Sequence, residues 1–157
     1  MDAKAIRAFR CGQRPWYVTD AAKVVRRSAS VLGTSASAVN RTRVLLFEIE
    51  NKVMAISVLQ QAHNPQTADL VVLAVHQDVQ GAWLEEDPPR PLCVAALEET
   101  AHFAAGEGYE RILAMAAEQN TKSVRLITRA GFVRVTGLNG DYVLYQISLP
   151  PLKAWLG

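Results

Sequence analysis

The chain has 157 residues, of which 50% are hydrophobic and 20% are charged. This balance is typical of a globular protein and excludes a disordered or fibrous chain. The length suits one domain that buries about two thirds of its unfolded surface. Because 17 basic residues stand against 15 acidic ones, the formal net charge is only +2. Such a charge permits an anionic ligand and argues against nucleic acid as the partner.

The first ten residues alternate charged and apolar side chains, so we expect neither a secretion signal nor a membrane anchor there. No later stretch approaches the roughly 20 apolar residues that span a bilayer. The two cysteines, Cys11 and Cys93, are far apart and form no Cys-x-x-Cys pair, so we expect neither a disulfide framework nor a metal site. These features predict a reduced, cytoplasmic protein with one domain over residues 1–157.

The predicted elements begin with an amphipathic helix over 20–30 and a polar loop after it. Two β-rich runs, 43–50 and 53–61, are joined by a minimal turn at Asn51-Lys52, which predicts an antiparallel hairpin. The next run, 68–75, is continuously apolar and predicts a central strand buried on both faces.

A long helix is predicted within 90–108, and a strand follows over 109–116. The next predicted element is a short helix over 120–130, which Asn120 can cap and Gly131 can close.

The last two β-rich runs, 132–138 and 141–149, flank Asn139-Gly140, the strongest short-range hairpin signal. The order is therefore helix, hairpin, strand, helix, strand, helix, hairpin, without an internal repeat. It predicts an α/β fold of the mixed α+β kind, with a central mixed sheet flanked by helices.

The stretch NTKSVRLITRAGF, residues 120–132, resembles a signature of the Gcn5-related N-acetyltransferase (GNAT) family: an Asn, a small residue, an apolar pair, a basic residue and Gly-Phe. The matching positions are Asn120, Ser123, Leu126, Arg129, Gly131 and Phe132. FEIENKVMAISVLQ is similar to the family's second and third strands, and LVVLAVHQDVQG to its fourth strand and pyrophosphate loop. The resemblance covers about Val44 to Leu149 and implies a GNAT-like fold that uses acetyl-CoA or another acyl-CoA.

The resemblance also implies a set of cofactor-binding residues. These are Leu73, Ala74, Val75, Gln80, Gly81, Ala82, Asn120, Ser123 and Arg129. The strand residues would pair through their backbone with the pantetheine amides, although an ordinary central strand explains their apolar character equally well. Asn120 is explained about equally well as a helix N-cap, and Gly131 and Phe132 are better explained as a helix stop and a core anchor.

The pyrophosphate loop departs from the family pattern. Glycines there let successive backbone N–H groups converge on phosphates at a helix N-terminus. Aligned on Gln80-Gly81, this chain has Trp83 and Glu85 where two small residues belong, and EEDPPRP follows. We expect this acidic segment to be a solvated surface loop whose carboxylates can occupy the anion site themselves. Arg90 is the one residue of this segment that can meet a phosphate.

The general acid of the family is commonly a Tyr directly after the position of Leu126, where this chain has Ile127. An apolar side chain cannot transfer a proton. Tyr142 and Tyr145 are the nearest substitutes by residue type, although packing on a terminal strand explains both.

For the general base, Glu48, Glu50 and His76 are the candidates, acting on an amine directly or through water. The competing interpretations are solvent-facing strand glutamates and a surface or capping histidine. Cys93, at a helix start, has either a lowered thiol pKa or the inert role of a core cysteine.

Three functions follow. The first is an acyl-CoA-dependent N-acyltransferase acting on a primary amine of a small molecule or a protein, without a metal and away from membranes. The second is a binding or assembly module of the same fold that no longer catalyses acyl transfer. The third is a toxin-like acetyltransferase acting on aminoacyl-tRNA, suggested by a loose similarity of FRCGQRPW and given little support by the net charge. The apolar tail PPLKAWLG suits a homodimer interface or packing on its own domain.

Overall fold

A computed structural model of the chain describes residues 8–10, 42–86 and 88–149. The predicted helix at 20–30, the polar loop after it, most of FRCGQRPW and the apolar tail lie outside these ranges. The strands among the described residues are β1 (Thr42–Ile49), β2 (Lys52–Gln61), β3 (Thr67–Val75), β4 (Trp83–Leu84), β5 (Arg90–Pro91), β6 (Arg111–Ala117), β7 (Val133–Asn139) and β8 (Tyr142–Ser148). The helices are α1 (Leu92–Gly106), α2 (Thr121–Arg129) and a 3-10 helix (Gln77–Val79).

Six of these strands form one mixed sheet in the order β1-β2-β3-β6-β8-β7. β3 and β6 are parallel, and every other neighbouring pair in this sheet is antiparallel. β4 and β5 form a separate two-stranded ladder in the segment that the sequence predicts to be a solvated loop. The predicted order of elements from the first hairpin onward is confirmed.

Both predicted hairpins are present, but each turn lies one residue away from its predicted position. Ile49 pairs with Lys52, so the first turn is formed by Glu50 and Asn51, which both have positive φ. Positive φ at both central residues is the requirement of a type I′ turn. Asn139 pairs with Tyr142, so the second turn is Gly140-Asp141. The burial pattern of the strands sets the register, because a slip of one residue would turn every core side chain to the opposite face.

The core lies between the sheet and both helices, which pack on the same face. Its cluster of buried side chains includes Leu97 of α1, Ile127 of α2 and Ile112 of β6. A parallel pair needs a crossover connection, and α1 supplies it between β3 and β6. Neither described α-helix is long and apolar enough to cross a membrane.

A buried hydrogen bond fixes α1 over β2. The Ser57 and Thr100 hydroxyl oxygens are 2.8 Å apart, and both residues are fully buried. The Thr100 hydroxyl donates to the Ala96 carbonyl at 2.7 Å, so it accepts from Ser57. Polar groups in a core are stable where each has a partner, and the bond from Ser57 to Thr100, which is the one that joins strand and helix, holds α1 at one position along β2.

Candidate functional site

β3 and β6 are hydrogen-bonded neighbours over only part of their length. Their parallel pairing runs from Thr67 with Arg111 to Leu70 with Ala114. Beyond these pairs, β3 continues through 71–75 and β6 through 115–117 without pairing to each other. We call the opening between these two segments the fork.

A bulge in β3 lies where the fork begins. Val58 of β2 pairs with Val72 and Leu59 pairs with Leu70, so Val71 has no residue opposite it. A bulge bends its strand and increases the local twist, which turns β3 away from β6. Val71 is 41% exposed and Met115 is 56% exposed, one on each side of the opening. The prediction that β3 is buried on both faces is therefore wrong at Val71.

The fork exposes a strand edge. Leu73, Ala74 and Val75 pair with β2 on one side, and on the other side the described part of the chain supplies no strand partner. Backbone N–H and C=O groups on such an edge can pair with an extended molecule that carries amides. The structure thus places these three predicted residues where such a ligand can be bound through the backbone.

His76 directly follows the fork and caps the 3-10 helix. Its Nδ1 accepts a hydrogen bond from the Asp78 backbone N–H at 3.2 Å, and its ring packs edge-to-face with the Phe9 ring at a centroid distance of 5.4 Å. An accepting Nδ1 is unprotonated, so in the neutral ring the proton is on Nε2. The Asp78 carboxylate, 3.6 Å from Nδ1, becomes an ion-pair partner only when the ring is doubly protonated.

The predicted pyrophosphate loop forms a tight turn after this histidine. Gly81 has φ +80°, a conformation that favours glycine. The Ala82 N–H donates to the Val79 carbonyl at 3.0 Å, and the Ala82 carbonyl accepts from the Leu92 N–H, the first of α1, at 2.9 Å. The Gln80 side chain donates to the Val75 carbonyl at the end of β3. The loop is thus tied both to the fork and to the start of α1.

β4 and β5 form a strap across the start of α1. Arg90 of the strap donates from Nε to Glu86 at 2.7 Å and from a terminal nitrogen to Glu98 of α1. The hydrogen bond that Arg90 donates to Glu86 raises the guanidinium pKa most, and the charges of both carboxylates raise it further. Because two carboxylates already hold Arg90, a phosphate would have to displace them to use it.

The N-terminus of α1 has backbone donors that lack an acceptor within the helix. Pro91 makes no side-chain cap, and the Leu92 N–H is bonded to Ala82. The N–H groups of Cys93 and Val94 have no acceptor within the helix, because the first intrahelical bond is made by the Ala95 N–H to the carbonyl of the N-cap Pro91. Burial raises the pKa of the Cys93 thiol, and the nearby backbone N–H groups lower it less. The interpretation of Cys93 as an acidic thiol is therefore wrong.

The N-terminus of α2 follows β6 and lies at the same end of the fork. Asn120 accepts a hydrogen bond from the Ser123 N–H at 3.2 Å, which confirms the predicted N-cap. Gly131 has φ +98° and Phe132 is buried, so the helix stop and the core anchor are confirmed. Arg129 is exposed in the last turn, about 13 Å from Asn120 along the axis. The structure thus brings Asn120 to the fork and leaves Arg129 at the far end of α2.

The candidate proton donors lie on opposite faces of the sheet. Val143 and Tyr145 belong to the core that the helices cover, and successive side chains on a strand alternate, so Tyr142 faces the other way. Tyr145 pairs with Ala114, which pairs with Leu70 at the base of the fork. Tyr145 is 8% exposed, and within the described residues its hydroxyl makes no hydrogen bond. A buried tyrosine hydroxyl usually has a partner.

The glutamates lie further from the fork. Glu48 is exposed at the end of β1, two strands or about 10 Å from β3. Glu50 is in the hairpin turn with φ 51°. Ile127 is buried in the core, as an apolar side chain at that position requires. No group of three or more His, Cys, Asp or Glu side chains in the described ranges is arranged to hold a metal ion.

Sequence reasoning did not find the bulge at Val71, the exposed Met115 or the strap. Neither residue type nor spacing marks Val71, because it lies within a uniformly apolar run. For Tyr145, its place two residues from Val143 and Ile147 is a signal that all three share one face of β8. Which partner residues lie on that face is known only from the strand register.

Comparison with known proteins identifies the fold. No protein-family model and no curated protein matches the sequence. Among solved structures, an acetyltransferase from Thermus thermophilus is 24% identical, with a TM-score of 0.61 over 82% of this chain and 75% of its own. The ribosomal-protein-S18-alanine N-acetyltransferase from Escherichia coli is 16% identical, with a TM-score of 0.61 over 94% and 89%. A GNAT family acetyltransferase from Elizabethkingia anophelis, solved with acetyl-CoA bound, is 15% identical, with a TM-score of 0.58 over 73% and 84%. The chain therefore has the GNAT fold, which confirms the predicted mixed sheet flanked by helices.

Proposed function

We propose that this protein is an acyl-CoA-dependent N-acyltransferase, which most simply transfers the acetyl group of acetyl-CoA to a primary amine of a small molecule or a protein. The observation that carries the proposal is the fork, an unpaired strand edge at the centre of a sheet, flanked at one end by two helix N-termini. An extended thioester with amide groups fits such an edge. Anionic groups suit the N-termini.

The residues present fit an acyl-CoA in three places. Leu73, Ala74 and Val75 would hold the pantetheine arm through their backbone. The turn at Gly81-Ala82 and the free N–H groups of α1 would face the pyrophosphate, with Asn120 at the start of α2 beside it. Two of the solved GNAT-fold structures contain acetyl-CoA or CoA, which supports this choice of cosubstrate.

The reaction joins an amine nitrogen to the thioester carbonyl carbon. The C–N bond forms, the C–S bond breaks, the amine proton passes to a base and the thiolate takes up a proton. We propose Glu48 as the base, acting through water. His76 is the alternative, but its Nδ1 is engaged with the Asp78 N–H, so accepting a proton there breaks the cap. In its neutral form His76 is better suited to donate a hydrogen bond from Nε2.

For the departing thiolate we propose Tyr145 as the proton donor, with Tyr142 as the alternative. Two observations support Tyr145. It pairs with Ala114, which pairs with Leu70 at the base of the fork, and its hydroxyl has no hydrogen-bond partner in the described part of the protein. Two alanines, Ala114 and Ala116, are its neighbours on β6 on this face, and their side chains are the smallest that a core position of a strand can carry apart from glycine.

The first experiment measures binding of acetyl-CoA and CoA by isothermal titration and thiol release with a panel of primary amines. Met115→Trp fills the fork and should lower the affinity for acetyl-CoA by about tenfold or more, the loss of roughly 1.4 kcal/mol. Val133→Trp, at an exposed apolar position on the edge strand β7, is the matched control and should bind normally. Absence of binding heat at high micromolar acetyl-CoA would refute the proposed acyl-CoA-dependent activity.

The proton donor has its own test. Tyr145→Phe should lower kcat about a hundredfold or more, with a smaller change in KM, because general acid catalysis contributes to the chemical step. Tyr142→Phe is the comparison. A loss of kcat in Tyr142→Phe alone would transfer the role to that residue.

One observation favours the second function, a binding module without turnover. The strap commits Arg90 to two carboxylates and the Leu92 N–H to Ala82, which leaves fewer groups for a pyrophosphate. Binding of acetyl-CoA without thiol release for any amine would support this function. Thiol release with one amine of the panel would exclude it.

A further inference from the structure

A second concave site lies on the opposite flank of α1 from the fork. It is a groove of about 390 Å³ between the end of β1, the strap and the first two turns of α1. None of its lining residues belongs to β3 or β6, the two strands that form the fork. We call it the β1 groove. Its volume is within the range of roughly 300 to 1,000 Å³ that small-molecule sites occupy.

The walls of the β1 groove are mostly apolar. Phe47 and Ile49 line it from β1, Leu84 from the strap, and Leu92 and Ala95 from α1. A ligand with a small apolar body would therefore cover hydrophobic surface there, at about 25 cal/mol for each Å² removed from water.

The charges around the groove have one predominant sign. The carboxylates of Glu48, Glu86 and Glu99 line it, and Arg90 connects Glu86 to Glu98. Among the described residues that line the groove, three carboxylates thus stand against one guanidinium, whose charge Glu86 and Glu98 already balance. Glu48 and Glu99 form no ion pair with any described residue. This groove is acidic although the whole chain has a net charge of +2.

We propose that the β1 groove is a binding site for a small organic ammonium ion with an apolar body. The apolar walls take up the body, and Glu48 and Glu99 attract the ammonium group. The site goes beyond the proposed N-acyltransferase function, because it is defined by binding alone and none of its lining residues belongs to the fork, although Glu48, proposed above as the base, also lines it. The ammonium ligand is either an acceptor amine held before transfer or an effector that is not acylated.

The test uses the full chain and three probes of similar shape: 2-phenylethylammonium, the neutral 2-phenylethanol and the anionic 3-phenylpropionate. Amide chemical shifts are followed by NMR at low and high salt. We expect the ammonium probe to bind most tightly, to weaken as salt rises and to shift residues 46–49 and 92–99. Equal binding of the three probes, or shifts centred on 71–75 and 115–117, would overturn the proposal.

Glu99→Gln should weaken the ammonium probe about threefold, the size expected for an exposed ion pair. Glu110→Gln, an exposed carboxylate outside the groove, is the matched control and should bind as the unchanged chain does. Equal affinity in Glu99→Gln and Glu110→Gln would refute the role of the groove carboxylates.

The two sources of the ligand are separated by adding acetyl-CoA to the probe. Formation of N-acetyl-2-phenylethylamine identifies the ligand as an acceptor, whereas binding that persists without product identifies an effector. Both outcomes support the site. Failure of all acyl transfer would defeat the proposed function and leave the binding result intact, so the two proposals can fail separately.

Discussion

The buried hydrogen bond that joins β2 to α1, together with the bond within α1 that continues it, allows a quantitative prediction. The Ser57 hydroxyl donates to Thr100, and Thr100 donates to the Ala96 carbonyl, all away from water. Ser57→Ala removes one bond and leaves the Thr100 proton bonded, so it should cost about 1 kcal/mol of unfolding free energy. Thr100→Val keeps the side-chain shape but leaves the buried Ser57 hydroxyl without an acceptor, which should cost about 2 kcal/mol of unfolding free energy.

In the double variant Ser57→Ala/Thr100→Val, neither side chain keeps a hydroxyl that lacks a hydrogen-bond partner. Replacing both partners of a buried hydrogen bond by apolar groups of the same shape can be nearly neutral, so we expect a total cost of about 1 kcal/mol or less. The two single costs add up to roughly 3 kcal/mol, which makes the coupling between the residues about 2 kcal/mol.

Urea unfolding of the four proteins, monitored by circular dichroism, gives each free energy by linear extrapolation. A common slope against urea shows that the variants change stability rather than the extent of unfolding. If the single costs add to the double cost within about 0.5 kcal/mol, the residues are independent and the reasoning from the hydrogen-bond chain is refuted.

Three further predictions concern single positions. Glu50→Asn should raise the free energy of unfolding by up to about 1 kcal/mol, because φ 51° costs Asn less than Glu; a loss of stability in urea would contradict the turn geometry. Asn120→Ala should cost about 1 kcal/mol as a lost N-cap, whereas Asn120→Ser keeps the cap; lower acetyl-CoA affinity in the folded Ser variant would reveal a ligand contact. Burial raises the pKa of Asp69, so the folded chain binds more protons than the unfolded chain between the ordinary pKa of about 3.9 and the raised one. The free energy of unfolding should therefore fall as pH rises between these two pKa values. Asp69→Asn should be more stable than the unchanged chain at pH 7, and this difference should vanish at pH values below the ordinary pKa. A difference in stability that does not depend on pH would refute this reasoning.

Periodicity predicted the main elements of the fold because their burial patterns are local. The apolar run at 68–75 and the helix after Pro91 were visible as sequence, and both were found within a few residues of their predicted limits. The turns could not be placed to the residue. Asn51 favours positive φ, but whether Glu50 or Lys52 shares the turn depends on which strand register buries the core.

The candidate site was less accessible to sequence reasoning. Leu73, Ala74 and Val75 came from the family resemblance, since backbone pairing leaves no mark in side chains. The fork itself depends on a bulge at Val71 and on where pairing with β6 stops, both of which are tertiary facts. Tyr145 was interpreted as packing, and only the row through Ala114 connects it to the fork. Residue type identified which side chains could transfer a proton, but the pairing register of the strands determines which of them lie near the fork.

The hydrogen-bond donors near the loop that departs from the family pattern set how strongly it can bind a pyrophosphate. The Leu92 N–H is bonded to the Ala82 carbonyl, and Arg90 is bonded to Glu86 and Glu98. The Asn120 side chain accepts from the Ser123 N–H. Among the described residues, what remains for a pyrophosphate is the first N–H groups and the positive ends of two helices, which contribute about 0.3 to 1 kcal/mol each for a charge at an exposed terminus.

At about 2 kcal/mol in total, the pyrophosphate end should improve affinity by less than roughly thirtyfold. S-acetylpantetheine, which lacks the pyrophosphate and nucleotide, should therefore bind within that factor of acetyl-CoA by isothermal titration. Most of the binding energy would then come from the fork. A preference for acetyl-CoA above about a hundredfold would refute this estimate, because it would require contacts to the nucleotide beyond these fixed donors, such as Arg90 released from its two carboxylates.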